Sequence, residues 1–161
     1  MNGDRNPTHE AGRPAALTLA DYRALGAFRQ SLRNFLAFSE AGARALSLTP
    51  QQHQALLAIK AHVGGEAITI GELAKALIIK NHSAVGLIER LAARGLVTRQ
   101  ASTDDRRRVL LALTPLGEQQ LATISRNNLG ELNRASPIFA DLLTTLDKLE
   151  QSGLWRTPSE E

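Results

Sequence analysis

The sequence predicts a mainly α-helical fold carrying one small β-hairpin. Leu and Ala dominate its 161 residues while aromatics make up only 4%, a balance that favours helices packed on helices. Helix-start signals recur along the chain, as in Thr49-Pro50-Gln51-Gln52 and Thr69-Ile70-Gly71-Glu72. Two β-like stretches, 96–101 and 109–114, enclose the run Ser102-Thr103-Asp104-Asp105-Arg106-Arg107-Arg108. Three consecutive arginines at a hairpin tip have little use in a core. A backbone that must reach phosphates or a narrow minor groove does use them.

The elements follow in order. Thr18-Leu19-Ala20-Asp21 caps a long helix to about residue 46, with Tyr22, Leu25, Phe28, Leu32, Phe35 and Leu36 at helical spacing. Thr49, with proline at the first helical position and glutamine three residues after the cap, starts a second helix that stops near Gly64-Gly65. A third begins at Thr69 and turns Leu73, Ala74 and Leu77 inward. After a turn at 78–81, a fourth spans about 82–94 and ends on Gly95 as a left-handed cap. The hairpin follows, with residues 66–68 as a candidate third strand. Pro115 then restarts helix, and Pro137 is expected to break or kink it before a last helix to about residue 151.

Helix, helix, helix-turn-helix, hairpin, helix, helix is the order of a winged helix-turn-helix domain between outer helices. In that arrangement the second helix of the motif enters the major groove. The outer helices are too long and too apolar to be satisfied by so small a centre, so they are expected to bury one another across a twofold interface. The expected layout is a disordered tail at 1–17, a dimerisation helix at 18–47, the DNA-binding winged helix-turn-helix at 48–114, C-terminal dimerisation helices at 115–155 and a polar tail at 156–161.

The charge distribution agrees. The chain carries a net charge of only +3, yet residues 80–108 hold seven Lys/Arg against three acids and so carry +4. Such a local excess is what a polyanion-binding surface requires. The chain has no cysteine, which excludes disulfides, thiol catalysis and thiol redox sensing. No stretch approaches a membrane span, and residues 1–16 lack the apolar centre of a signal peptide, so a cytoplasmic protein is expected. No nucleophile–base–orienter set and no phosphate-binding glycine loop appears, so the chain reads as no enzyme. His9, His53, His62 and His82 form no compact ligand pattern, and neither a metal nor a cofactor is expected.

On the fourth helix, Val85, Ile88, Leu91 and Ala92 are expected to face the third helix. His82, Ser83, Gly86, Glu89 and Arg90 project oppositely; Ser83 and Gly86 let the backbone sit deep in a groove, and His82 and Ser83 offer groups to base edges. Lys80 and Asn81 are placed to meet phosphates, beside the helix N-terminus. In the wing, Asp105 and Arg107 share a face, so the carboxylate can orient the guanidinium for the minor groove, with Arg106 or Arg108 left for phosphate. Thr69 completes the candidate DNA-binding set. His53, with Arg33, Phe35 and Phe38, is open to two readings, a ligand pocket or a boundary residue bonded to its neighbours, and the second is favoured.

Taken together, Leu48-Thr49-Pro50-Gln51-Gln52, Thr69-Ile70-Gly71-Glu72-Leu73-Ala74, His82-Ser83-Ala84-Val85, Glu89-Arg90-Leu91, Arg94-Gly95-Leu96-Val97, Asp104-Asp105-Arg106-Arg107 and Leu113-Thr114-Pro115-Leu116-Gly117 resemble the MarR family of transcriptional regulators over about residues 20–150. The resemblance implies a homodimer binding a pseudo-palindromic operator on double-stranded DNA, more often as repressor than activator. It implies a small aromatic or phenolic effector as one route of release. The family's Asp-x-Arg wing motif falls on Asp105-Arg106-Arg107, and its recognition contacts fall on about residues 80–90. Glu89 stands where members often have Asp. The rival reading is a winged-helix module used only for protein interaction.

Overall fold

The computed structural model of the protein describes residues 17–63, 67–102 and 108–151. Its elements are α1 (Leu19–Ala45), α2 (Pro50–Lys60), α3 (Ile70–Ala76), α4 (Asn81–Ala93), β1 (Val97–Ala101), β2 (Val109–Leu113) and α5 (Pro115–Gln151). They form two compact units. One is residues 35–132; the other joins 1–34 to 133–161, of which 17–34 and 133–151 are described.

Residues 35–132 hold the core. Leu48, Leu56, Leu73, Leu87, Ile88, Leu91, Leu96, Leu111 and Ile124 are all fully buried there. Both predicted capping boxes form. In α2 the Thr49 hydroxyl accepts the Gln52 N–H at 3.1 Å while the Gln52 side chain accepts the Thr49 N–H at 2.9 Å. In α3, Thr69 and Glu72 make the same exchange. The hairpin is antiparallel, with Val97 opposite Leu113 and Arg99 opposite Leu111. The expected third strand reduces to a single bridge of Thr69 with Leu110, next to a Leu111 N–H to Ile68 carbonyl bond of 2.9 Å.

Three helices end in one geometry, a left-handed residue followed by a bond back across the last turn. Gly95 (φ 68°) ends α4 as expected, and the Leu96 N–H reaches the Leu91 carbonyl at 3.0 Å. Ser47 (φ 57°) ends α1 and Ile78 (φ 54°) ends α3 in the same way. No glycine marks those two turns in the sequence.

The foot of the hairpin is tied to the start of α5. The Thr114 hydroxyl donates to the Gly95 carbonyl at 2.6 Å and accepts the Gly117 N–H at 3.0 Å, while the Thr114 N–H donates to the Leu96 carbonyl at 3.1 Å. A Cβ on Gly117 would overlap the Leu96 carbonyl oxygen. Only glycine allows α5 to start this close to the α4–β1 turn.

Two expectations are corrected. Helix α5 runs unbroken for 37 residues through Pro137, which was expected to divide it. The residues beyond the proline are held by tertiary contact, since Phe139 meets Phe28 of α1 edge to face at 5.8 Å. On α4 the buried stripe is Ala84, Leu87, Ile88 and Leu91, with Val85 and Ala92 only half-buried. The helix packs on α3 from one side and on β1 from the other, so its apolar stripe centres between the two.

The other unit is sparsely covered. Leu19, Tyr22, Leu25 and Leu32 on α1 and Leu143 and Leu146 on α5 are exposed, Leu19 at 64% and Leu143 at 61%. A groove of about 440 Å³ runs between Ala20, Ala24 and Ala27 of α1 and Ile138, Thr144 and Thr145 of α5. No described helix is long and apolar enough to cross a membrane.

Candidate nucleic-acid interface

Helix α4 starts without the capping box that α2 and α3 share. Lys80 occupies its N-cap position, no side chain caps the first turn and no acid lies in it. Its N-terminal end therefore keeps the partial positive charge of open N–H groups. Asn81, His82 and Ser83 are all exposed at that end. One turn on, Arg90 Nη1 lies 3.4 Å from where a Gly86 Cβ would be. The bare backbone at Gly86 is thus the seat over which the Arg90 guanidinium folds back. The pair works as one feature: a small residue that lets a long one lie flat.

Thr69, Asn81 and Arg108 meet around a groove of about 310 Å³, with Gly71, Val85 and Val109 completing its walls. Thr69 is committed locally. Its hydroxyl donates to Glu72 Oε2 at 2.7 Å and accepts the Glu72 N–H at 3.3 Å. Those bonds, the hydroxyl's first, hold the Glu72 carboxyl below its ordinary range, with smaller help from the positive charges of His62 and Arg108. An ionised Glu72 offsets part of the positive field of Arg108. Asp105, Arg106 and Arg107, the expected wing motif, lie outside the described residues.

Arg94, counted in the basic stretch, points elsewhere. Its guanidinium donates to the Ser47 carbonyl at 2.6 Å and the Leu46 carbonyl at 3.2 Å, clamping the turn after α1 to the end of α4. It is a structural clamp rather than a ligand contact, and a charge count cannot distinguish the two. His53 is also placed differently from the favoured expectation. It is 6% exposed, inside the core face of α2, and its Nε2 has no hydrogen-bond partner. Burial pushes its pKa below the ordinary imidazole value. Among the described residues, no group of three or more His, Asp or Glu gathers as metal ligands would.

Residues 46–108, the winged region, match the model of the MarR family. That stretch carries the winged helix-turn-helix of the MarR family. The match and the fold together support a DNA-binding transcription regulator of winged-helix architecture. Solved structures agree in fold. A MarR-family transcription regulator shares 25% identity at a TM-score of 0.63, covering 81% of this chain and 85% of that one. A variant of MepR from Staphylococcus aureus, bound to an oligodeoxyribonucleotide, shares 21% identity at a TM-score of 0.61, covering 83% of this chain and 99% of its own. AbsC, a MarR-family transcriptional regulator from Streptomyces coelicolor, shares 23% at 0.61, covering 83% and 91%. No curated protein matches the chain.

Proposed function

We propose that this protein is a homodimeric repressor of the MarR type that binds a pseudo-palindromic operator. The α4 helix of each copy enters successive major grooves about one helical turn apart, and each wing reaches the flanking minor groove. The observation that carries this reading is the uncapped, acid-free start of α4, which presents Lys80, Asn81, His82 and Ser83 to solvent beside the Arg108 groove. Lys80, Asn81 and Arg108 supply phosphate contacts; His82, Ser83 and the Arg90–Gly86 pair face base edges. Asp105 orients Arg107 for the minor groove, with Arg106 on phosphate. Thr69 sets the start of α3 at the groove wall. Exposed leucines on α1 and α5 support a second copy as their cover. An aromatic or phenolic acid effector would act by favouring a separation of the two DNA-binding regions that does not match the operator.

Selection of bound duplexes from a random library, followed by a salt titration of the winner, tests this. The expected result is an enriched inverted repeat whose affinity falls steeply with salt. Arg107→Glu should weaken binding to every sequence, whereas His82→Ala or Ser83→Ala should change which sequence is preferred. A folded protein that enriches no duplex would overturn the reading in favour of a protein-interaction module.

A further inference from the structure

Of the three left-handed helix ends, the one at Ile78 has no local explanation. Gly95 adopts its conformation freely, and the turn at Ser47 is clamped by Arg94. Ile78 is β-branched, the side-chain type that least tolerates a positive φ, and it is 92% exposed. Its backbone is held by the turn: the Ile78 N–H bonds to the Lys75 carbonyl at 3.1 Å and the Ile79 N–H to the Ala74 carbonyl at 3.0 Å. A glycine would serve that turn better. The side chain therefore contributes nothing to the fold that would account for its presence.

Its surroundings indicate what would cover it. Ile78, Lys75, Ile79, Lys80 and Asn81 line a concavity of about 720 Å³ at the turn between α3 and α4. Neither Lys75 nor Lys80 has an ion-pair partner among the described residues. Asn81 also lines the groove that contains Arg108, so the two depressions adjoin at the start of α4. An apolar knob between two open lysines suits a surface that alternates phosphates with apolar groups, as a DNA strand does.

We propose that Ile78 is a DNA-contacting residue, making an apolar contact with the duplex between phosphate contacts from Lys75 and Lys80. The proposal rests on the regulator reading and extends the interface from α4 back onto the turn before it. The apolar group is either a thymine methyl in the major groove or a deoxyribose at its edge.

The test uses the full chain and the duplex recovered by selection. Ile78→Gly should leave the thermal midpoint unchanged or raise it, because the turn is relieved, yet weaken duplex binding about tenfold with an unaltered salt slope. Lys75→Gln and Lys80→Gln should each lower that slope by about one. Replacing thymine by deoxyuracil, one position at a time, separates the two contacts. A loss at one position that Ile78→Gly does not deepen identifies the methyl; no loss at any position, with the Ile78→Gly defect intact, identifies the sugar. Wild-type affinity in Ile78→Gly overturns the proposal, and failure of the unaltered protein to bind any duplex overturns the regulator reading beneath it.

Discussion

The two units differ in how fully one copy of the chain covers its own apolar surface. Among the described residues, every large, fully buried side chain lies within 35–132. The described parts of 17–34 and 133–151 instead leave leucines of α1 and α5 facing outward, with the Phe28–Phe139 contact between them. The first region has a closed core and so folds around itself. In the second, the same helical periodicity leaves an apolar face exposed, the face proposed above to pair with a second copy. Similar Leu- and Ala-rich composition thus produces a core in one place and an open apolar face in another.

The largest expected effect of a single substitution lies in the closed region. Gly117→Ala should cost about 2–3 kcal/mol, because the added methyl meets the Leu96 backbone rather than a side chain that can move. Denaturant unfolding measures it, and a loss below about 0.5 kcal/mol would show that the start of α5 yields freely. In the open region, Leu143→Asp should lower dimer mass to monomer mass in sedimentation with helical circular dichroism retained. A persistent dimer would mean that this face is not the one that pairs.

Smaller effects distinguish the regions at their caps. Thr49→Ala should destabilise by about 1 kcal/mol, since its box anchors a helix packed in the core. Thr18→Ala removes bonds of 2.7 Å and 3.3 Å with Asp21 at an exposed end and should cost about 0.5 kcal/mol. Equal losses would erase the contrast. The smallest effect is a slope. Burial lowers the His53 pKa from its ordinary 6.5, so the unfolded chain binds a proton there more readily than the folded one. Stability should therefore be independent of His53 above that value and decline as pH falls below it. Unfolding titrations of His53→Gln should lack this component of the decline; an identical pH profile would show that His53 is not its source.

What was legible in the sequence was local. Capping boxes at Thr49 and Thr69 and the glycine at 95 announce themselves within four residues, and all three form as expected. The fourth helix was correctly placed, with Lys80, Asn81, His82 and Ser83 at its exposed start. Direction was harder to read. Arg94 belongs to the basic stretch by position yet faces two carbonyls that lie 47 and 48 residues earlier. Ile78 carries no turn signal, although its backbone is left-handed and the turn closes through its own local bonds. The fold-back of Arg90 over Gly86 depends on what a missing side chain permits, which periodicity does not record. Pro137 misled for a related reason: its local preference was overridden by packing farther along the helix.

The knot at Thr114 and Gly117 has a consequence for how such a protein can diversify. With both ends of the hairpin fastened to the α4–β1 turn, and Ser102 bonded to the Arg108 carbonyl at 2.9 Å, residues between 102 and 108 can be exchanged or lengthened at small cost to folding. The scaffold therefore separates inheritance from invention. A lineage can rewrite the arginine-rich stretch, which is proposed above to contact DNA, while the closed core remains untouched.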